Sequence, residues 1–262
     1  MFYADFNIYS SPNQDELKAK LNPHISIDVV VFGFDSKSLK VLLVERDFHD
    51  QETGKIHHDL KLPGSLVHET ETLDNAAYRV LKQLTGLERI YLDRLAVFDA
   101  PERTKRKIDR AWLESTTGIE IGRILTVAYY SLIRFDLANG HLSNLKQKAH
   151  WTELSDIKLL AFDHNAIIKN GLSYLREKVR NEPVALELLP KKFSLRQLQD
   201  LYEVLLDSDM DNRNFRKKIH RLGYFIPLDE MEEAVNHKPA RLYKFDKTKY
   251  TKIKKESSSF LP

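Results

Sequence analysis

The chain has 262 residues, 42% of them apolar and 30% charged with both signs mixed, enough for one large domain or two modest ones with a proper core. It has no Cys, which excludes disulfides, thiol catalysis and Cys-ligated zinc and fits a reducing compartment. The start MFYADFNIYS lacks a basic lead and a long apolar run, so it does not read as a signal peptide. Apolar runs such as VVVFGF are too short to span a bilayer, so a cytoplasmic protein with no membrane partner is expected.

Residues 1–22 are polar and read as irregular. ISIDVVVFGF (25–34) and LKVLLVE (39–45) are rich in Val, Ile and Leu around the turn DSKS, which predicts a β-hairpin at the centre of a sheet. HDQETGKIHHD (49–59) reads as a polar loop. Residues 72–85 predict an amphipathic helix with the apolar stripe Leu73, Ala76, Ala77, Val80, Leu81 and Leu84. IYLDRLAVFD (90–99) predicts a strand. Residues 100–122 form a charged excursion, and 123–135 and 149–154 predict two further strands. AFDHNAIIKNGLSYLREKVR (161–180) turns helical, with Asp163 in position to cap it. The two-proline stretch NEPVALELLPKKF (181–193) reads as a linker.

After the linker the period changes. SLRQLQDLYEVLL (194–206) predicts a helix with capping-box spacing between Ser194 and Gln197. DSDM makes a short turn. DNRNFRKKIHRLG (211–223) predicts a second helix, capped by Asp211 and stopped by Gly223. Two short strands, YFIPL and RLYKFD, flank a polar loop. Helix, tight turn, basic helix and hairpin is the order of a winged helix-turn-helix. The charge agrees: residues 191–262 hold 16 Lys+Arg against 11 Asp+Glu, net +5, whereas the rest holds 25 against 27, net −2. Phe215, Ile219 and Leu222 share the inward face of the second helix. Arg213, Asn214, Arg216, Lys217, His220 and Arg221 crowd the other side as a donor surface suited to base edges and phosphates. With Lys238, Arg241 and Lys244 on the hairpin, duplex DNA is the expected partner.

PGSLVHETETLDNAAYRVLKQLTGL (63–87) resembles a Nudix box, G-x5-E-x7-R-E-U-x-E-E-x-G-U with U a bulky aliphatic. Gly86 and Leu87 match its end, Arg79 its Arg, Leu81 its inner aliphatic and Glu71 its first Glu; Ser65 stands where the box's Gly belongs. The resemblance implies that Glu71 and Arg79 pair to hold the loop. Its three clustered Glu positions are Val80, Gln83 and Leu84 here. Magnesium wants oxygen ligands, preferably charged. Val and Leu offer none and Gln only a neutral carbonyl, so metal-assisted hydrolysis is not expected, nor a cofactor. His57, His58 and His164 lack the spacing of a metal site. His164 reads as a structural residue at a helix start. Trp112 and Trp151 read as packing residues, with Trp112 placed to stack on a ligand.

Nearly the whole chain resembles the NrtR-like family of Nudix-related transcriptional regulators. The resemblance is carried by the box, by AFDH opening the 161–180 helix, by LLPKKFSLRQL, by RNFR at 213–216 and by PARLYKFD. It implies an α+β protein: a Nudix-like α/β/α sandwich with a mixed sheet over residues 1–185, then a winged helix-turn-helix over 186–262. It further implies a homodimer on a palindromic operator, acting as a repressor and responding to a small effector, either ADP-ribose-like or a sugar. Without metal ligands to neutralise a diphosphate, a sugar or sugar-derived effector is the expectation. Arg46, Lys61, Asp99 and Arg103, polar positions at strand ends or loops near the box, are its candidate contacts. An active Nudix hydrolase of a nucleoside diphosphate derivative is the alternative.

Overall fold

The computed structural model describes residues 20–49, 54–88, 90–135, 149–233 and 238–254. Its centre is β1 (Leu21–Phe34), whose second half is apolar at almost every position. Such a strand must be covered on both faces, and it is. Residues 27 to 34 are all buried. β1 pairs antiparallel with β2 (Leu39–His49) and β4 (Gly64–His68), and parallel with β6 (Leu125–Arg134) from Ile25–Leu125 to Phe34–Arg134. β3 (Ile56–Lys61) and β7 (Ala149–Glu153) add to β2, and β5 (Asp93–Phe98) closes the other edge on β6. The result is a seven-stranded mixed sheet.

Alternation along the strands sorts the two faces. Ile27, Val29, Val31, Leu42, Val44, Val127 and Tyr129 pack with Ala76, Ala77 and Leu81 of α1 (Leu73–Thr85). Val30, Phe32, Phe34, Leu39, Val41, Leu43, Ala128 and Tyr130 pack with Ile167, Ile168, Leu175 and Val179 of α3 (His164–Asn181). Gly171 is where α3 comes closest: a Cβ there would lie 3.4 Å from Phe32 and Leu95.

The 100–122 excursion is ordered. A 3-10 turn (Pro101–Thr104) leads into α2 (Lys107–Thr117). Half of the supposed 49–59 loop is likewise regular: β3 begins at Ile56 and takes its register from β2. Asp163 precedes α3 but makes no capping hydrogen bond, because its carboxylate is engaged by Arg103.

Residues 181–193 are not a loose linker. Pro183–Leu188 coils into a 3-10 helix that buries Pro183, Ala185 and Leu188. The hydrophobic cluster under α3 runs on through Leu188 and Leu189 into Leu195, Leu198, Leu201, Tyr202 and Leu205. These last lie on α4 (Leu195–Leu206), which is followed by α5 (Asn212–Leu222) and a three-stranded sheet of β8 (Phe193–Ser194), β10 (Arg241–Phe245) and β9 (Phe225–Met231). A short helix, α6 (Lys247–Lys254), follows and docks Tyr250 against Tyr224 and Phe245. Among the described residues no helix is long and apolar enough to cross a membrane.

Candidate functional site

The box keeps its frame. Thr72 caps α1 by accepting from the Asn75 amide at 3.2 Å, and Gly86 ends it at φ +70°. Glu71 accepts from the His68 amide (2.8 Å) and from Arg79 Nε (2.9 Å) and Nη2 (2.5 Å), while Arg79 also donates to the Leu66 carbonyl at 3.1 Å. Burial pushes the Glu71 carboxyl up, but the Arg79 hydrogen bonds and the His68 amide outweigh it and hold it below its ordinary value. Glu71 is thus occupied as a brace between the β4 loop and α1.

The metal-binding face is missing its oxygens. Val80 is fully buried, Leu84 packs with the sheet, and the Gln83 carbonyl accepts from Arg79 at 3.2 Å. The other nearby acids are engaged elsewhere: Glu69 with Lys20 at 3.0 Å, and Asp74 with Arg94 at 2.8 Å and with the Tyr129 hydroxyl. Among the described residues no group of three or more His, Asp or Glu is placed to hold a metal ion. This donor set does not fit the magnesium that a Nudix box binds.

A second cluster lies around the β3–β4 joint and was only half visible in the sequence. Arg46, Lys61 and Arg103, read as polar positions at strand ends and loops, are all buried. Arg46 is shared between Asp59 and Asp109, with Asp109 Oδ1 2.8 Å from Nη1. Its guanidinium lies 5.4 Å from the Trp112 ring centre and 5.3 Å from that of Phe162. Arg103 forks onto Asp163 at 3.1 and 3.2 Å and reaches Asp28 at 3.4 Å. Asp28 also faces His164 Nε2 at 3.2 Å, while His164 Nδ1 accepts from the Leu62 amide at 2.9 Å. His164 therefore has the structural place expected of it. Burial alone would raise Asp28; His164 and Arg103 hold it far below the ordinary carboxylate range.

Lys61 has no carboxylate within ion-pair reach among the described residues. It donates to the carbonyls of Gly64 (2.9 Å) and Leu62 (3.3 Å) and lies 5.6 Å from the Trp112 ring centre. Burial brings its ammonium down to about 8; Asp28 opposes the shift and Arg46 adds to it. Gly64 is required here, since a Cβ on it would sit 1.9 Å from Asp28 Oδ1. Asp99 is different: it is exposed beyond the end of β5, and its carbonyl accepts from Arg123 at 2.9 Å. Of the four effector candidates the fold brings together three. The four Asp partners and Phe162 were missed. The one available signal was Asp28, a lone charge in an apolar strand.

The third site is the helical pair. Ser194 and Gln197 form the reciprocal capping box. The turn after α4 is clamped by Gln199, which donates to the Met210 carbonyl (2.9 Å) and to Glu203 (2.8 Å), while Glu203 accepts from the Met210 amide at 3.0 Å. Arg176 of α3 donates to the Leu205 carbonyl at 2.9 Å, capping the C-terminal end of α4. Asp211 caps α5 by accepting from the Asn214 amide at 2.8 Å. Phe215 and Ile219 are buried, and Arg213, Asn214, Arg216, Lys217, His220 and Arg221 are exposed. Among the described residues no carboxylate pairs with Arg213, Arg216, Lys217 or Arg221. His220 leans on Tyr243, with ring centres 6.0 Å apart. On the hairpin, Lys238 and Lys244 are exposed, but Arg241 is tied to Asp229 and to the Leu228 carbonyl, both at 2.6 Å.

Residues 185–245 match the model of the NrtR DNA-binding winged helix domain. The ADPR responsive transcriptional repressor NtrR of Acinetobacter baylyi is 27% identical over 228 residues, 86% of this chain and 82% of its own length. NrtR of Shewanella oneidensis, solved in complex with a 27mer DNA, superposes with a TM-score of 0.67 at 25% identity, covering 90% of this chain and 97% of that one. An ADP-ribose pyrophosphatase of Methanocaldococcus jannaschii is 27% identical over 160 residues, 60% of this chain and 76% of its own length. Residues 185–245 are thus an NrtR-type winged helix domain, and with the Nudix-like sheet and box frame before it the chain is homologous to the NrtR repressors over most of its length.

Proposed function

We propose that this protein is a DNA-binding transcriptional repressor whose Nudix-like domain senses an ADP-ribose-type metabolite and does not hydrolyse it. The observation that carries the DNA-binding half is the outer face of α5: four cations and Asn214, exposed and unpaired among the described residues, on a helix capped at both ends. Side chains of this kind meet phosphates and base edges in the major groove. Such a regulator acts as a homodimer whose recognition helices enter successive major grooves about 34 Å apart. Its effector contacts are Arg46, Lys61 and Arg103 with the Trp112 ring; Asp99, exposed and apart, is the weakest of the original four.

The sensing half draws on the named activity of the Acinetobacter relative and favours an ADP-ribose-type effector over a free sugar. The absence of hydrolysis rests on Val80, Gln83 and Leu84 in the ligand positions. The test titrates ADP-ribose, arabinose and ribose 5-phosphate against the protein bound to a duplex enriched from a random library. In parallel, ADP-ribose turnover is followed with Mg²⁺ and Mn²⁺. Release by ADP-ribose without turnover supports the reading. Release by the sugar alone restores the sugar reading. Metal-dependent turnover lost on changing Glu71 would establish the hydrolase instead.

A further inference from the structure

The buried cluster has its own internal anion. Asp109 is completely buried on α2, inside the charged excursion. One carboxylate oxygen meets Arg46 at 2.8 Å; the other accepts from the Phe162 amide at 3.1 Å and lies 3.4 Å from Arg106 Nε. Arg106 in turn donates to the Leu160 carbonyl at 2.9 Å, and Arg103 holds Asp163. The excursion therefore grips residues 160, 162 and 163, immediately before α3. Phe162 is bent to φ +54°, a conformation a bulky residue keeps only where its surroundings impose it. The far half of α3 is joined to α4 through Arg176. One continuous set of contacts thus leads from Arg46 to the helical pair.

We propose that Asp109 is a tethered anionic ligand of Arg46 that holds α3 in its DNA-binding position, and that an anionic effector works by replacing it. This rests on the reading of the cluster as the effector site. While Asp109 holds Arg46, the guanidinium is spoken for by two carboxylates and screened from solvent by Trp112 and Phe162. A phosphate arriving there must displace Asp109. Losing Asp109 frees the Phe162 amide, which lets the strained entry to α3 relax and shifts α4 with it.

The test uses the full chain as wild type, Asp109→Asn and Arg106→Gln. Asn keeps the size of Asp but removes the charge that ties Arg46, and its neutral carbonyl is a weaker acceptor for the Phe162 amide than the carboxylate. Arg106→Gln cuts the grip on Leu160 from a half-exposed position, so it serves if the first variant does not fold. Three readouts are taken: affinity for the enriched duplex without ligand, ADP-ribose affinity by calorimetry, and hydrogen exchange at residues 160–164. For Asp109→Asn we expect DNA binding about fivefold or more weaker, ADP-ribose binding about fivefold or more tighter, and faster exchange at the Phe162 amide. For Arg106→Gln we expect weaker DNA binding and faster exchange. Tighter ligand binding separates a lost competitor from mere damage, which would loosen both partners. Equal ADP-ribose affinity in wild type and Asp109→Asn overturns the competition. Unchanged DNA affinity and exchange in the variants overturn the latch. If ADP-ribose binds none of the proteins while the variants still lose DNA affinity, the latch stands and the effector assignment falls.

Discussion

The free cations of α5 set a salt dependence that can be worked out in advance. Each cation that meets a phosphate contributes a slope of about −0.9 to log Kobs against log salt. Raising salt fourfold, from about 50 to about 200 mM, then weakens binding by a factor of about 3.5 per contact. If Arg213, Arg216, Lys217 and Arg221 all touch phosphate, that is about 150-fold per chain. Lys217→Ala should remove about 0.9 from the slope and weaken all duplex sequences alike. Arg241→Ala is the comparison: its guanidinium is held on the hairpin by Asp229 and the Leu228 carbonyl rather than left free for a phosphate, so its loss should flatten the slope less than that of Lys217. Fluorescence anisotropy on a fixed duplex across five salt concentrations measures both slopes. The reasoning fails if Arg241→Ala flattens the slope as much as Lys217→Ala, or if Lys217→Ala leaves it unchanged.

Three further outcomes follow from the interior. Among the described residues the fully buried Tyr202 hydroxyl has no hydrogen-bond partner, so Tyr202→Phe should leave stability equal or raise it by up to about 1 kcal/mol in urea unfolding. Gly64→Ala drives a methyl into Asp28 Oδ1 and should cost about 2–4 kcal/mol, read as a lower melting temperature, because a buried ion network must shift. Lys61 titrates near 8 in the folded chain against 10.5 unfolded; the unfolded state holds the proton more tightly, so stability is reduced below pH 8 and recovers as pH rises towards 10.5. Lys61→Met should accordingly stabilise the protein at pH 7 by about 1–3 kcal/mol after loss of its two carbonyl hydrogen bonds, with the gain shrinking between pH 8 and 10.5.

The elements legible in the sequence were those whose pattern is local. The apolar run of β1, the stripe of α1 and the capping signals at Ser194–Gln197 and Asp211–Gly223 all depend on neighbours within a turn or two. What escaped was set by distant partners. Asp163 has the residue type and position of a cap, but a bidentate bond to Arg103, sixty residues away, is worth more to it. β3 is polar because it is an edge strand with half-exposed faces, so alternation was too weak to find it. α6 was hidden in a Lys-rich tail, where only Tyr250 betrays a buried side. The charged site shows the same division. Arg46, Lys61 and Arg103 could be noticed as cations near the box, but their burial depends on Asp28, Asp59, Asp109 and Asp163, brought from four separate segments.

The 3-10 helix at Pro183–Leu188 has a consequence for anyone recombining these proteins. A crossover placed at residue 185 or 186, where the two halves would naturally be parted, cuts between Ala185 and Leu188, both buried in a hydrophobic cluster that both halves share. The winged helix would leave without the surface it rests on, and Arg176 would be parted from the helix end it caps. A functional exchange of DNA specificity between relatives should instead carry α3 along, with the join made upstream of Leu160. The unit of inheritance for DNA recognition is then longer than the DNA-binding fold itself.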